Sequence, residues 1–360
     1  MAAALALARR GLGSTWPNPS VGCVLVRDGR VVGRGWTQAG GRPHAETEAL
    51  RRAGAAARGA TAYVSLEPCS HHGRTPPCAE ALVAAGIVRV VAATEDPDPR
   101  VSGQGLERLR AAGISVGIGL MRAEADAVNA GFFLLVREGR PLVTLKIAAS
   151  LDGRIATSRG ESRWITGEAS RGLAHSMRAT HDAILVGSGT AIADDPMLDV
   201  RLPGFEAARR VRVVIDGRLR VPLTAKLART AREHPAWIFA RNDADPARAG
   251  VLAENGVELV RLPADPATGH LAPLDIVRAL GKRGITRVLL EGGGHLAAAF
   301  LRAGLVDRIV RFTAGVALGG DAVPAVAGLG IERLADAPRY SLLEVSRCGE
   351  DVLETWGRSP

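Results

Sequence analysis

The sequence predicts an α/β protein built from two layered domains. Short apolar, β-rich runs alternate with Ala- and Glu-rich stretches of helical character along both halves of the chain. A length of 360 residues exceeds what one ordinary hydrophobic core supports. A polar segment with Gly and Pro at 137–141 interrupts the alternation, so we expect one domain at 1–139 and another at 140–360.

The first domain is expected to begin with a helix at 3–11, which a glycine ends, followed by a hairpin. Asp28-Gly29 lies between the apolar runs 21–26 and 31–36, and this pair is typical of a two-residue hairpin turn. Helix and strand then alternate. Helices are predicted at 45–57, 79–85, 105–112 and 123–136, and strands at 61–66, 88–93 and 114–118.

The second domain is expected to repeat this alternation around short strands. Strands are predicted at 142–148, 183–186, 211–215, 237–239, 257–262, 288–291, 306–312 and 340–345. Helices are predicted at 168–180, 272–282 and 295–303. Clusters of polar and turn-forming residues at 243–249 and 263–270 indicate mobile surface loops.

Composition and charge argue against several classes of protein. The net charge is +9, but the basic residues are spread over both halves, and aromatic residues make up only 4% of the chain. The sequence therefore lacks the concentrated charge and the stacking surface of a nucleic-acid-binding protein. No run of eighteen apolar residues occurs, so no membrane span is expected.

The N-terminus and the cysteines favour a reducing, cytoplasmic location. In residues 1–10 the apolar stretch precedes the arginines, which is the reverse of a secretory signal, so we expect an amphipathic helix there. Four cysteines in a chain of this size do not make a disulfide framework. Cys23 lies in an apolar run and is expected to be a buried thiol, whereas Cys348 receives no role.

His44-Ala45-Glu46, together with Pro68-Cys69 and Pro77-Cys78, predicts a catalytic zinc site. One imidazole and two thiolates supply three ligands, whereas a structural zinc site normally has four. Three ligands leave a position for water, whose pKa zinc lowers to about 7. Glu46 is then available to move a proton from water to a leaving amine.

A closed structural zinc site is the alternative, because His71 or His72 could supply a fourth ligand. The pattern matches the zinc deaminase signature, except that eight residues rather than two separate the cysteines. This insertion, residues 70–77, is expected to lie against the metal and to shape the substrate pocket.

Lys146 is unusual because only three of the 46 basic residues are lysines. It falls inside the apolar run 142–148, where a compact ammonium can do work that a guanidinium cannot. A lysine on an edge strand that points to solvent is the alternative.

Two glycine runs follow predicted strands, Gly187-Ser188-Gly189 and Gly292-Gly293-Gly294. Backbone amides at such places can approach a phosphate. Glycines also close ordinary turns, so each run alone carries little weight. Neither contains the Gly-x-Gly-x-x-Gly fingerprint, which argues against the commonest dinucleotide-binding fold.

Longer strings resemble one enzyme family, the bifunctional riboflavin-biosynthesis deaminase–reductases. They are Pro17-Asn18-Pro19, His44-Ala45-Glu46, the string from Glu67 to Cys78, the loop from Asp96 to Gly105, and the segments around Lys146, Trp164, Asp194 and Glu291. The resemblance spans essentially the whole chain. It implies a cytidine-deaminase-like three-layer N-terminal domain and a dihydrofolate-reductase-like α/β C-terminal domain.

The resemblance also implies two reactions. The first is zinc-dependent hydrolytic deamination of a diaminopyrimidinone ribosylamino 5′-phosphate, which releases ammonia. The second is NADPH-dependent reduction of the opened ribose to a ribityl chain. The implied zinc ligands are His44, Cys69 and Cys78, with Glu46 as the catalytic carboxylate. Lys146 is the candidate that polarises or protonates the sugar oxygen, and Glu291 the candidate that orients the ribose hydroxyls.

Further site residues follow from the resemblance alone. The implied cofactor positions are Ala148, Trp164, Thr190, Asp194, Gly217, Gly293, Gly294, His295, Leu296, Ala297, Ala298 and Ala299. The implied substrate positions are Asn18, Ser162, Arg178, Leu198, Arg201 and Glu291. Gly217 stands where the family often has serine, so contact there would come from backbone. Asn18 could instead form only a Pro-Asn-Pro turn. Guanidinium groups bind phosphate in a fork, which suits Arg178 and Arg201 to the 5′-phosphate.

Two rival functions make different predictions. A nucleoside or tRNA deaminase with an RNA-binding second half would carry concentrated basic charge and exposed aromatic residues. A zinc-stabilised scaffold would have four protein ligands and no catalytic water. The expected partner is a phosphorylated pyrimidine, with no nucleic acid and no membrane, and an apolar second half makes a homo-oligomer plausible.

Overall fold

The computed structural model describes residues 1–71, 76–205, 208 and 210–359. They form two compact units, Met1–Gly139 and Arg140–Pro360. Each unit contains a β-sheet and several helices, so the α/β class predicted from the sequence is confirmed.

A five-stranded mixed sheet lies at the centre of the first unit, in the order β2-β1-β3-β4-β5. Its strands are β1 Gly22–Arg27, β2 Arg30–Trp36, β3 Thr61–Val64, β4 Arg89–Ala92 and β5 Ser115–Ile118. β1 is antiparallel to β2 and β3, whereas β3, β4 and β5 are parallel. The β1–β2 hairpin turns through Asp28 and Gly29, which both have positive φ, as the Asp-Gly pair predicts.

Helices cover both faces of this sheet and give three layers. The helices are α1 Ala2–Arg9, α2 Ala45–Ala53, α3 Cys78–Ala84, α4 Gln104–Ala111 and α5 Arg122–Glu138. Consecutive strand residues point to opposite faces. On β1, a Cβ at Gly22 would collide with the backbone of α1, while Cys23 is fully buried in a cluster with Ala45 and Ala49 of α2. The expectation that Cys23 is a buried thiol is therefore confirmed.

Glycines on β2 allow α2 to lie against the strand at very short range. A Cβ at Gly35 would collide with the Ala45 carbonyl oxygen, and a Cβ at Gly33 with that of Ala49. The first turn of α2 is thus held in place by backbone contact. Because α2 begins directly after His44, this contact also positions that imidazole.

Gly35→Ala is expected to lower the free energy of unfolding by about 1–3 kcal/mol, because overpacking of a tight contact costs that much. Urea denaturation of the variant and the wild type measures the difference. Gly117→Ala, on β5 of the same unit, is the control, since a Cβ there would lie 4.0 Å from the nearest atom. Equal midpoints for the two variants would contradict the tight contact.

A nine-stranded sheet forms the second unit, in the order β11-β10-β9-β8-β12-β6-β13-β16-β15. Its strands are β6 Leu142–Ser150, β8 Ala183–Gly187, β9 Val211–Ile215, β10 Ala236–Arg241, β11 Glu258–Leu262, β12 Arg287–Leu290, β13 Arg308–Ala314, β15 Tyr340–Cys348 and β16 Asp351–Arg358. Two further strands, β7 Arg154–Ala156 and β14 Val323–Pro324, pair with each other in a separate two-stranded sheet. The strands from β11 to β13 are all parallel. β16 and β15 extend the sheet antiparallel.

Within the described part of this unit, six α-helices lie between its strands. They are α6 Glu168–Ala179, α7 Ser188–Asp194, α8 Lys226–Arg229, α9 Pro246–Glu254, α10 Pro273–Lys282 and α11 Gly294–Arg302. None of the helices in the described ranges has the length and hydropathy needed to cross a bilayer.

Several elements differ from the sequence-based expectation. Short helices and strands that the hydrophobic pattern did not indicate are α7, α8, α9, β7, β14 and β16. The loop predicted at 243–249 is wrong in its second half, because Pro246 begins α9 and the Asp245 side chain accepts a hydrogen bond from Ala247 N–H. The predicted helix 45–57 ends at Ala53, since Gly54 takes positive φ. The strand β16 was not predicted because polar residues interrupt the apolar alternation of its sequence.

Candidate functional site

His44, Cys69 and Cys78 converge in the first unit. His44 directly precedes α2, Cys69 lies beyond the end of β3, and Cys78 is the first residue of α3. His44 Nδ1 lies 3.2 Å from Cys78 Sγ and 3.6 Å from Cys69 Sγ, and the three donor atoms lie within 4.8 Å of one another. Zinc binds His nitrogen at about 2.0 Å and Cys sulfur at about 2.3 Å, so one ion can bridge these separations. The donor set fits zinc.

The Cys69 sulfur is prepared to act as a thiolate. The Cys78 backbone N–H donates to Cys69 Sγ at 3.2 Å. Hydrogen bonding from Cys78, and then from His44, lowers the pKa of the Cys69 thiol to about 4 despite partial burial. The Cys78 thiol, which donates to Cys69 and is buried, has a raised pKa. A metal ion deprotonates a coordinating thiol outright, so Cys78 would lose its proton on binding the ion.

Glu46 lies in the first turn of α2, two residues from His44, and is only 3% exposed. Burial raises the pKa of its carboxyl group to about 7. A group that titrates near neutral pH is suited to accept and return a proton. Glu46 is not a member of the three-donor cluster, so a proton-transfer group lies beside the metal position without occupying it.

A fourth protein ligand is not found among the described residues. The cluster comprises one His and two Cys, and His71 does not belong to it. His71 Nδ1 is buried and has no hydrogen-bond partner in the described part of the chain. His72 and the rest of 72–75, in the insertion between the cysteines, lie outside the described residues. Within the described ranges the cluster has the three donors of a catalytic site, and the four-ligand scaffold gains no support.

Glu67 is a buried residue to which the sequence pattern assigns no role. Its Oε1 accepts hydrogen bonds from the backbone N–H groups of Gly105 and Leu106, at 2.9 and 3.4 Å. Its Oε2 accepts from those of Gly103 and Asp96, at 3.0 and 3.3 Å. Glu67 thereby ties the segment that carries Cys69 to the loop after β4 and to the start of α4. No local pattern could have named these partners, because they lie 29–39 residues away.

Glu67→Gln is expected to weaken zinc retention by about 10-fold or more, because outer-shell changes at metal sites cost 10–100-fold in affinity. Each Glu67 oxygen accepts from two backbone N–H groups. In the variant an amide nitrogen, which accepts no hydrogen bond, replaces one of these oxygens, so two N–H groups would lose their partner. Competition with a chromophoric chelator measures the affinity. Glu80→Gln is the control, since Glu80 is a half-exposed residue of α3 that pairs with Arg108. Equal affinity in both variants would contradict the role of Glu67.

Asn18 lies against the segment that leads into His44. A Cβ at Gly41 would collide with the Asn18 side chain, so the two residues are in close contact. The Asn18 backbone N–H also closes a turn onto Thr15 O at 3.0 Å. Asn18 is thus both a turn residue and a neighbour of the approach to the metal site, and its contact with substrate stays a prediction.

In the second unit, many predicted cofactor residues gather where parallel strands end. Ala148 lies near the end of β6, Thr190 and Asp194 lie in α7 after β8, Gly217 follows β9, and Gly293 precedes α11 after β12. The carboxyl ends of parallel strands in one sheet share an edge, which is where open α/β sheets bind ligands. A Cβ at Gly293 would lie 3.7 Å from Thr190 Oγ1, so the starts of α7 and α11 are neighbours.

The first turn of α11 fits a phosphate-bearing cofactor. Gly293 is its N-cap, and the backbone N–H groups of a first helical turn lack intrahelical partners and attract anions. His295 is exposed, and Leu296 and Ala299 are partly buried. Ala297 and Ala298 are buried in the core, so contact with a cofactor there could come only from their backbone. Gly187 and Gly293 are thus the N-caps of α7 and α11, and each glycine run lies where a helix begins after a parallel strand.

For three of the predicted binding residues, the structure gives only their location and exposure. Trp164 and Ser162 lie between β7 and α6, and the Trp164 ring is 69% exposed with the Arg171 guanidinium 4.5 Å from its centroid. An exposed indole offers a flat surface for stacking. Leu198 has a positive φ and its side chain is buried in a core cluster, so only its backbone could contact a substrate.

Lys146 lies in the interior of the sheet, on β6 between β12 and β13, so the edge-strand alternative is wrong. Lys146 pairs with Val310 of β13. On the other side β12 ends at Leu290, opposite Leu145, which brings Glu291 next to Lys146. The positive charge of Lys146 contributes to the lowered pKa of Glu291.

Glu291 and Arg178 form a buried, two-pronged ion pair. Arg178 Nε and Nη2 donate to the two Glu291 oxygens at 2.6 and 2.9 Å, and Nη1 donates to the Asp199 carbonyl at 3.0 Å. Burial alone would raise the pKa of Glu291, but Arg178 outweighs it and the pKa falls to about 2. Arg178 is therefore engaged with Glu291, whereas Arg201 has a side chain that is 68% exposed.

Comparison with known proteins bears on both units. Residues 1–94 match the family described as the cytidine and deoxycytidylate deaminase zinc-binding region, and residues 141–353 match the RibD C-terminal domain. The fold and the sites thus define a zinc deaminase joined to a dihydrofolate-reductase-like reductase. The chain is 46% identical to riboflavin biosynthesis protein RibD of Escherichia coli over 98% of this chain and 96% of that protein. The chain belongs to the RibD family of riboflavin biosynthesis.

Solved structures agree over the whole chain. RibD of Acinetobacter baumannii, 41% identical, superposes with a TM-score of 0.88 and covers 99% of this chain and 97% of that one. A deaminase/reductase of Thermotoga maritima, 34% identical, gives a TM-score of 0.85 with the same coverage. The protein is therefore a bifunctional deaminase–reductase that uses zinc and NADPH, and both folds implied by the sequence resemblance are confirmed.

Proposed function

We propose that the unit at 1–139 deaminates 2,5-diamino-6-ribosylamino-4(3H)-pyrimidinone 5′-phosphate and that the unit at 140–360 reduces the product. The final product is 5-amino-6-ribitylaminouracil 5′-phosphate. The observation that carries the deaminase assignment is the three-donor cluster with Glu46 buried beside it. The Thermotoga maritima relative is named as a diaminohydroxyphosphoribosylaminopyrimidine deaminase and 5-amino-6-(5-phosphoribosylamino)uracil reductase, which supports this substrate.

In the deamination, Glu46 moves the protons. His44, Cys69 and Cys78 would hold zinc, which when bound makes water acidic enough to attack near pH 7. The Glu46 carboxylate accepts a proton from the attacking water and passes it to the neighbouring ring nitrogen, then takes the proton of the new hydroxyl group and donates it to the ring amine. The carbon–nitrogen bond breaks, ammonia leaves and the ring keeps the oxygen as a carbonyl. Asn18, at the approach to His44, is suited to orient the pyrimidine.

In the reduction, three charged side chains handle the sugar. NADPH supplies the hydride when bound at the edge formed by β6, β8, β9 and β12. Lys146 donates a proton to the ribose ring oxygen as its bond to the anomeric carbon opens, and that carbon accepts the hydride. Glu291, ionised and held by Arg178, accepts hydrogen bonds from ribose hydroxyls. Arg201 binds the 5′-phosphate through its exposed guanidinium.

We also propose that the protein works in the cytoplasm as a homo-oligomer, with no nucleic-acid or membrane partner. β15 is one of the two edge strands of the nine-stranded sheet, and its residues Leu342, Leu343 and Val345 are 51–58% exposed. An exposed apolar edge strand invites pairing with another chain, and a second copy would cover it. Light scattering on the purified protein measures the mass. A monomer at micromolar concentration would contradict this proposal.

A coupled assay tests the two proposed reactions. Ammonia release and NADPH absorbance are followed separately, with and without a zinc chelator, using the diaminopyrimidinone substrate and then its deaminated product. The chelator is expected to stop ammonia release, but NADPH oxidation with the deaminated product should continue. Metal-independent ammonia release would overturn the first assignment. Failure to oxidise NADPH with the deaminated product would overturn the second.

A further inference from the structure

His175 lies among the predicted substrate residues of the second unit, but neither the sequence pattern nor the resemblance assigns it a role. It belongs to α6 and precedes Arg178 by three residues, so the two side chains are neighbours on one helix face. His175 Nδ1 accepts a hydrogen bond from the backbone N–H of Arg201 at 3.2 Å. The side chain is only partly buried.

Burial and nearby positive charges favour the neutral form of the imidazole ring. Burial, together with the positive charges of Arg178 and Arg201, lowers the pKa of His175, against a smaller opposing effect of Asp199. A neutral imidazole that accepts at Nδ1 carries its proton on Nε2. The surroundings of the ring therefore favour the form that accepts the hydrogen bond from the Arg201 backbone.

The segment that carries Arg201 is tied to α6 at two points. Arg178 Nη1 donates to the Asp199 carbonyl, and the Arg201 backbone N–H donates to His175. The Arg201 guanidinium is held only loosely, with its Nε 3.5 Å from Asp199 Oδ1. The position of Arg201 therefore depends on its backbone, and His175 is the side chain that accepts the backbone N–H of Arg201 itself.

We infer that His175 is a positioning residue for the substrate phosphate: its Nδ1 holds the backbone of Arg201, so that the Arg201 guanidinium meets the 5′-phosphate at a set distance from Glu291. The inference rests on the proposed function, in which Arg201 binds that phosphate. Because Arg178 links Glu291 to Asp199, the phosphate and the ribose hydroxyls are held by one connected set of residues. The ligand class is a sugar phosphomonoester.

Substitutions at His175 separate its two ring nitrogens. An Asn side chain places its carbonyl oxygen near the position of Nδ1 and can accept the Arg201 N–H. A Gln side chain is longer and places its polar end near the position of Nε2. A Leu side chain offers no acceptor. If the acceptor at Nδ1 is what matters, Asn restores function and Gln does not.

The test is a steady-state reductase assay on His175→Leu, His175→Asn, His175→Gln and the wild type, with NADPH and the deaminated 5′-phosphate substrate. The Leu and Gln variants are expected to raise KM for this substrate about 10-fold, which corresponds to the loss of one hydrogen bond. The Asn variant should stay near wild type. For the dephosphorylated substrate, the KM of the Leu variant should equal that of the wild type. Ammonia release and KM for NADPH should not change.

Each departure from this pattern has a distinct meaning. If the wild type is active and the KM of His175→Leu for the phosphorylated substrate is unchanged, the inference is overturned but the proposed function is not. Rescue by Gln rather than Asn would also overturn it, because Nε2 would then be the working atom. An equal rise in KM for phosphorylated and dephosphorylated substrates would show a merely structural role. A wild type that oxidises no NADPH would overturn the proposed function, and the inference with it.

Discussion

Glu46→Gln is expected to reduce ammonia release by about 10²–10⁴-fold, the range that proton transfer by a positioned side chain contributes. Glu46 is 3% exposed, and its pKa is raised to about 7 by burial, so it can exchange a proton near neutral pH. The amide of Gln has the same size but cannot accept a proton from water. Zinc content should stay at the wild-type level, because Glu46 is not one of the three donors.

Glu48→Gln is the matched control for this change. Glu48 lies on the same helix, α2, and is also buried, but its carboxylate pairs with Arg51 and Arg52. Its variant should keep the wild-type rate of ammonia release. The reductase activity of each variant, measured with the deaminated substrate, shows that the chain has folded. Glu46→Gln with more than a tenth of the wild-type rate would contradict the role of this carboxylate.

Lys146→Met is expected to abolish NADPH oxidation while ammonia release continues. Met has a similar length and is tolerated inside a sheet, so the change removes the ammonium with little loss of packing. The ammonium lies next to Glu291 and is the proposed general acid, and general acid catalysis is worth about 10²–10⁴-fold. NADPH absorbance with the deaminated substrate measures the effect, and the ammonia assay on the same sample serves as an internal standard.

Lys226→Met is the control in the same unit. Lys226 begins α8 and its side chain is 55% exposed, near Asp195. Its removal should leave both activities unchanged. NADPH oxidation in Lys146→Met that matches the Lys226→Met control would refute the proposed acid role of Lys146.

Local patterns predicted much of the fold because they reflect local physics. The Asp28-Gly29 turn, the apolar runs of β9 and β12, and the helix that starts after His44 depend on residues close together in the sequence. The pattern fails at β16 and α9. β16 mixes polar and apolar residues in an antiparallel extension of the sheet, and α9 begins at an Asp-Pro pair that also suits a turn.

The residues of the candidate sites also fall into those that a local pattern predicts and those that it does not. The three predicted zinc donors and Glu46 could be named from their types and spacing, because the zinc deaminase signature combines His and Cys ligands with a carboxylate that is not a ligand. The roles at the reductase edge came only from the resemblance to a family. Among the described residues, the pairing of Arg178 with Glu291 joins positions 113 residues apart, which no local pattern can indicate.

The amino-acid sequence by itself determined which chemical groups are available: one imidazole, two thiols, a carboxylate not needed as a ligand, and a lone lysine within an apolar strand. The tertiary structure decided what each group touches. It buried Glu46, surrounded Glu67 with backbone amides, placed Lys146 beside Glu291, and fastened Arg201 to His175. The physical reason is that side-chain identity sets intrinsic chemistry, while burial and contacts arise only when distant segments of each unit pack together as a sheet and its helices.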